Sequence, residues 1–178
     1  MPKEQRQNIL LVTADQFHPD FMGFLDRYPV ATPNLDELAL RAAVHHQAYT
    51  VNPLCMPARC SLLTGLYSHQ HGIRDNRGDL DSRTATLPAA LRRRGYHTAM
   101  IGKIHFWEGI PSRLNYRRCY GEIERLGFDE AWVTAGKTMV RHVEDEFTAH
   151  LLDHGLLERY RADAAARDTG PSGPTPSP

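Results

Sequence analysis

The chain has 178 residues, in which 21 basic residues balance 21 acidic ones and 41% are apolar. A length of this order fits one globular domain with a real core, and a formal charge of zero argues against nucleic acid or an anionic membrane as the main partner, because both select a basic surface. Three cysteines are too few for a disulfide framework, so the chemistry of each has to be judged from its local sequence.

The first apolar run, Ile9–Val12, ends in Thr13-Ala14-Asp15. A continuous apolar run of this kind predicts a strand buried on both faces, and the carboxyl end of such a strand is where ligands bind in open α/β sheets. The run is too short for a signal peptide, and no stretch of the chain reaches the length of a membrane span. We therefore expect a cytoplasmic protein with no membrane partner.

Helices and strands are predicted to alternate after this strand. In chain order they are a helix opened by Thr32-Pro33-Asn34, a strand over Val44–Val51, a short helix between Pro57 and Gly65, a helix from Thr86-Leu87-Pro88 to Gly95, and a strand over His97–Ile101. This alternation is typical of an α/β fold with a mainly parallel sheet covered by helices on both faces.

The C-terminal part of the chain has a different character. Residues 140–166 have a helical pattern, and four apolar side chains are predicted to share one face of it: Val143, Phe147, Leu151 and Leu152. The last nine residues, Gly170–Pro178, contain four prolines and two glycines and cannot build packed structure. We predict a catalytic-domain portion over residues 1–160 and a weakly patterned to disordered tail over residues 161–178.

The chemically most informative motif is Cys55-Met56-Pro57-Ala58-Arg59. It places Cys55 at the N-terminus of a predicted helix, where free backbone N–H groups and the helix dipole favour an anion. Arg59 lies one turn further along and reaches toward the same point. The motif predicts an oxyanion site beside Cys55; the alternative is a small buried cysteine with Arg59 on the surface.

The motif and its continuation into Ser61-Leu62-Leu63-Thr64-Gly65 and His69-Gln70-His71-Gly72 resemble the signature of the sulfatase family. Three further segments follow the order of that family: residues 8–16, which are similar to its first strand, residues 95–105, which are similar to the segment with its catalytic Lys and His, and residues 127–130. The resemblance covers about residues 8–160. It implies an alkaline-phosphatase-like α/β fold and hydrolysis of a small sulfate ester.

The resemblance assigns catalytic roles to four residues. Cys55 would be oxidised to formylglycine by a formylglycine-generating enzyme; one oxygen of the hydrated aldehyde attacks sulfur, and the second hydroxyl lets the sulfated intermediate collapse. Arg59 would stabilise that oxygen, and Lys103 would neutralise charge on the sulfate. His105 would help to remove a proton during the collapse.

The resemblance also implies a metal site and a substrate contact. Asp15, with the group at Cys55, would bind a hard divalent cation, Ca²⁺ or alternatively Mn²⁺, although a strand-end aspartate that caps a turn is the other interpretation. Gln16 stands where the commonest pattern has a second aspartate, which resembles the choline-sulfatase and phosphonate monoester hydrolase branch. In that branch Asn76 would contact a substrate oxygen; alternatively Asn76 only forms a turn.

Other family residues do not occur in the chain. The fold normally needs several hundred residues, with a second metal-binding pair, a further His and a second Lys. Asp153-His154-Gly155 has the residue types of such a metal-binding pair, but it follows a segment with a helical pattern and not a strand, so we do not assign it that role. The chain therefore resembles the N-terminal part of a sulfatase, and we expect it to be inactive or impaired alone. Two alternatives stay open: a phosphonate monoester or phosphodiester hydrolase, and a non-catalytic fragment.

Overall fold

The computed structural model describes residues 6–108, 119–136 and 142–168. The chain divides into two compact units, residues 1–48 and residues 49–178. The predicted disordered end at Gly170–Pro178 lies outside the described residues. Within the described ranges, no helix combines the length and the apolar character that a membrane crossing requires.

The first unit contains short turns and one helix. Turns of 3₁₀ type at Pro19–Phe21 and Gly23–Leu25 precede helix α1, Pro33–Arg41, which begins directly after Thr32 as predicted. The Thr32 hydroxyl accepts a hydrogen bond from the Gly23 N–H at 2.7 Å and donates to Asp36 at 2.7 Å. Thr32 therefore joins the preceding turn to the helix.

The strands predicted over Ile9–Val12 and Val44–Val51 are wrong, because neither segment is a strand in the structure. The side chains of Ile9–Val12 are between 62% and 88% exposed. A strand buried on both faces needs hydrogen-bonded neighbours at its edges and covered faces. The sheet that the described residues form has only two strands, and neither belongs to these segments.

The second unit contains the helices and strands that carry the predicted site. In chain order they are α2 (Cys55–Thr64), α3 (Ser68–His71), α4 (Leu87–Arg93), β1 (Ala99–Lys103), α5 (Tyr120–Arg125), β2 (Glu130–Thr134), α6 (Glu146–Asp153) and α7 (Leu157–Asp168). Pro57 in the first turn of α2 and Gly65 just after its end, with φ +72°, bracket that helix as predicted.

Strands β1 and β2 form a parallel pair, which confirms the α/β class with a parallel sheet. The register runs from Ala99 opposite Glu130 to Lys103 opposite Thr134. The predicted strand over His97–Ile101 is confirmed with a shift of two residues, whereas β2 was not predicted. On one face of this pair, the register partners Ile101 and Trp132 are 75% and 61% exposed.

The core of the second unit lies between α2, α5 and the strands. Its buried side chains include Met56, Cys60, Ile104, Phe106, Ile123, Leu126 and Val133. Gly127 follows α5 with φ +101°, and a Cβ at this position would lie 2.2 Å from the backbone nitrogen of Ala89 in α4. The hydroxyls of Thr86 and Thr98 donate to the carbonyls of Leu126 and Gly127. The motif at residues 127–130 therefore joins α4 to the start of β1.

The late helical pattern corresponds to two helices and not to one. The carboxylate of Asp145 caps α6 by accepting the Thr148 N–H, and Gly155, with φ +66°, follows the end of α6. The predicted shared apolar face is wrong in part, because Val143 precedes α6 and because Phe147 and Leu152 are exposed while Leu151 is buried. Helix α7 continues across the boundary predicted at residue 160.

Candidate active site

Cys55 is the first residue of α2 and follows Leu54, whose backbone is extended. Met56 and Pro57 turn into the core, whereas Cys55 is only half-buried. Pro57 carries no N–H, and the Ala58 N–H donates to the Leu54 carbonyl at 3.0 Å, so the N–H groups that lack a partner inside α2 are those of Cys55 and Met56. The structure therefore presents Cys55 at the edge of the core, where a helix N-terminus favours negative charge.

Asn76 lies against the N-terminus of α2. Its Oδ1 accepts a hydrogen bond from the Met56 N–H at 3.0 Å and one from the Cys55 thiol at an Oδ1 to Sγ distance of 3.6 Å. Asn76 thus satisfies one of the N–H groups that the helix leaves open. Through the bond to the thiol, Asn76 orients the side chain at position 55.

The sequence Asn52-Pro53-Leu54 predicts a turn before α2, but it does not predict the contacts that the Asn52 side chain makes there. Its Oδ1 accepts the Leu54 N–H at 2.9 Å, and its Nδ2 donates to the Arg74 carbonyl at 3.2 Å. The Asn52-Pro53 dipeptide was the available signal, because asparagine before proline favours a turn stabilised by its own side chain. Asn52 therefore connects the turn that precedes Cys55 to the loop that leads to Asn76.

Arg59 joins α2 to the end of β1. Its guanidinium Nη1 donates to the carbonyl of Lys103, the last residue of β1, at 2.8 Å. Arg59 and Cys55 are both half-buried. This hydrogen bond ties α2, which carries Arg59, to the end of β1, where Lys103 lies.

His105 lies two residues beyond β1 with φ +58°, a left-handed conformation that few residues other than glycine adopt. It is flanked by Ile104 and Phe106, which are 1% and 4% exposed and fix the turn in the core. The Leu80 N–H donates to the Phe106 carbonyl at 3.0 Å. The turn at His105 is therefore tied to the segment that follows Asn76, and left-handed residues held this way are frequent at functional sites.

His71 connects α3 to α2. Its Nδ1 accepts the Ile73 N–H at 3.2 Å, and its Nε2 lies 2.9 Å from the hydroxyl of Ser61. Burial lowers the pKa of His71, which favours the neutral ring with its proton on Nε2, donated to Ser61. His71 therefore packs against α2 and helps to hold that helix in place.

Asp15 belongs to the first unit, whereas the other predicted site residues belong to the second. Asp15 is exposed and is followed by Gln16 with φ +55°. Among residues 6–108, 119–136 and 142–168, no group of three or more His, Cys, Asp or Glu side chains is arranged to hold a metal ion. Ca²⁺ takes about six to eight oxygen ligands. The metal role of Asp15 stays a prediction.

The three cysteines differ in burial. Cys55 is half-buried, whereas Cys60 is fully buried and Cys119 is 5% exposed. Burial raises the pKa of the Cys60 thiol to about 12, and burial together with the neighbouring Glu122 carboxylate raises the pKa of Cys119. Both shifts disfavour the thiolate, which is the reactive form.

We expect iodoacetamide at about pH 8 to alkylate Cys55 first in the folded, unmodified chain, because the other two thiols are shielded and held protonated. Peptide mass spectrometry after timed quenching measures the three rates. Alkylation in urea is the control and should make the three rates similar. Equal rates at Cys55 and Cys60 without urea would contradict the packing of α2.

A family model for sulfatases matches residues 7–163. The choline-sulfatase of Rhizobium meliloti is 38% identical over 101 residues, which are 57% of this chain and 20% of that protein. The human N-sulphoglucosamine sulphohydrolase is 36% identical over 142 residues, which are 76% of this chain and 28% of that protein.

Among solved structures, the phosphonate monoester hydrolase of Agrobacterium radiobacter superposes on 97% of this chain with a TM-score of 0.61 and 27% identity. The match covers 32% of that chain. This chain therefore spans between a fifth and a third of the length of these relatives.

Proposed function

The chain belongs to the sulfatase family, and from that premise we propose that it carries the nucleophile side of a sulfuric ester hydrolase. The observation that supports this most is the set of contacts around α2. Asn76 holds the start of the helix and the Cys55 thiol, and Arg59 joins the helix to Lys103. These contacts support the proposal because they connect the proposed nucleophile position and the N-terminus of α2 to the two residues, Arg59 and Lys103, that carry cationic side chains.

Each side chain has a proposed task in this reaction. Formylglycine, made from Cys55 by a formylglycine-generating enzyme, supplies a hydrated aldehyde as nucleophile. Arg59 and the N-terminus of α2 stabilise negative charge near position 55, and Lys103 binds the sulfate oxygens. His105 accepts or returns a proton, for which an imidazole is suited near neutral pH.

The cation is a separate part of the proposal. Sulfatases generally use a divalent metal, and we propose Ca²⁺, or alternatively Mn²⁺, with the Asp15 carboxylate as one of its oxygen ligands.

The relatives favour a small sulfate ester as substrate. One of them is named for choline sulfate, which is an ester, and another for N-sulphoglucosamine, in which a nitrogen carries the sulfate. We propose a sulfate ester of a small organic molecule, as in choline sulfate. The structural likeness to a phosphonate monoester hydrolase makes phosphonate monoesters or phosphodiesters the second candidate, since these groups also present anionic oxygens on a tetrahedral centre.

The test combines a measurement of modification with one of turnover. The chain is co-expressed with a formylglycine-generating enzyme, and the peptide that contains Cys55 is analysed by mass spectrometry for the aldehyde. Turnover of an aryl sulfate and of a matched aryl phosphodiester is then compared. The same assay is made on any longer product that the encoding DNA specifies beyond codon 178.

We expect conversion at Cys55 and a preference for the sulfate. Preference for the diester would establish the second candidate. Conversion without turnover of either substrate would favour the non-catalytic fragment, and an unconverted Cys55 would contradict the formylglycine nucleophile.

A further inference from the structure

The backbone of Lys103 is held on two sides. It ends β1 opposite Thr134 of β2, and its carbonyl accepts the Arg59 guanidinium at 2.8 Å. Neither contact fixes the ammonium group, because a lysine side chain has a flexible four-carbon stem. Packing along the stem therefore contributes to where the ammonium lies.

Gly136 lies against that stem. A Cβ built on Gly136 would lie 3.3 Å from Cδ of Lys103, 3.6 Å from Cε and 3.8 Å from Cγ. Three successive carbons of the lysine therefore pack beside the place where any other residue carries its Cβ, and the nearest, Cδ, is closer than an ordinary van der Waals contact. Gly136 also has φ +90°, which side chains of L-residues rarely adopt.

The position of Gly136 is itself fixed by a buried carboxylate. Asp145, only 1% exposed, accepts the Ala135 N–H through Oδ2 at 2.9 Å and the Thr148 N–H through Oδ1 at 2.8 Å. One side chain thus anchors the chain just before Gly136 to the N-terminus of α6. The capping pattern of Asp145 and Thr148 was the available sequence signal.

We propose that Gly136 is a positioning residue for Lys103. The bare backbone at Gly136, held in place by Asp145, supports the stem of Lys103 and sets where its ammonium lies. The inference deepens the proposed function, since it rests on Lys103 as the sulfate-binding cation. A side chain at position 136 displaces the lysine without touching the substrate.

The test compares Gly136→Ala with Gly78→Ala in the full chain. Gly78 has φ +88°, so alanine is similarly strained there, but its Cβ would make only ordinary contact with Ile73 at 3.6 Å. The readout is the rate at which acetic anhydride labels the amine of Lys103 at several pH values, relative to Lys3, followed by peptide mass spectrometry. Thermal melting of each variant is measured alongside.

We expect a severalfold rise in Lys103 labelling in Gly136→Ala and none in Gly78→Ala. In the form that hydrolyses sulfate, we expect turnover of Gly136→Ala to fall by roughly severalfold, because the lysine stem has to shift to make room for the Cβ. Gly136→Asn carries the same Cβ with less backbone strain and serves if the alanine variant does not fold.

Equal Lys103 labelling in the wild type and in a folded Gly136 variant would overturn the proposal. Failure of both Gly136 variants to fold, while Gly78→Ala folds, would also overturn it by showing a general structural role. A change in labelling without sulfatase activity in any form would support the positioning role and contradict only the proposed function.

Discussion

We expect Gly127→Ala to unfold the second unit. The Cβ would lie 2.2 Å from the nitrogen and 2.4 Å from the Cα of Ala89, and both are backbone atoms of α4 that cannot rotate away. The φ of +101° adds strain for any L-residue. We expect a loss of more than about 4 kcal/mol in the free energy of unfolding, against a total of about 5–15 kcal/mol for a typical domain.

Gly121→Ala is the matched control for this variant. Gly121 lies in α5, where no atom approaches its Cβ position within 4 Å. Alanine favours a helix over glycine by up to about 1 kcal/mol, so this variant should be as stable as the wild type or more so. Urea unfolding followed by circular dichroism measures both. Similar midpoints for the two variants would show that α4 does not approach Gly127 as closely as described.

The second large effect is expected for Cys55→Ala. Removal of the nucleophile precursor should lower turnover of an aryl sulfate by at least about 10³-fold, since losing a covalent nucleophile typically removes most of the rate enhancement. The fold should be retained, because Cys55 is half-buried and the N–H of Met56 keeps its hydrogen bond to Asn76. The measurement is kcat in the form of the protein that hydrolyses sulfate, with melting temperature as the test of folding.

Cys119→Ala is the comparison for this experiment. Cys119 is buried at the start of α5 and has no proposed catalytic task. Its removal should lower the melting temperature through lost packing and leave kcat per folded molecule unchanged. If Cys55→Ala retained the turnover of the Cys119→Ala variant, the formylglycine nucleophile would be wrong.

Local sequence signals determined α2, the helix that begins with Cys55. Pro57 and Gly65 fix the limits of α2 through backbone preferences that operate within a few residues, and the spacing of Cys55 and Arg59 on it follows from the helical repeat. The order of the motifs likewise identified the family that the family model matches. Such features depend on neighbours along the chain, so the sequence alone was enough.

Features that depend on distant partners could not be predicted in this way. The run Ile9–Val12 has the composition of a buried strand, but its composition does not say which strands it pairs with, and the structure leaves it unpaired and exposed. The reverse holds for β2, whose five residues carry a weak local signal and become a strand by pairing in register with β1.

The predicted site residues show the same division between what local sequence determines and what distant contacts determine. Sequence pattern selected Cys55, Arg59 and Lys103, but only tertiary contacts show that Asn76 caps α2 and that Gly136 lies against the lysine stem. Asp145 is 10 residues from its partner Ala135 along the chain, and Asn76 is 20 residues from Met56. The sequence determined which chemical groups are present, and the folded chain decided where they lie, because orientation depends on contacts that close long loops.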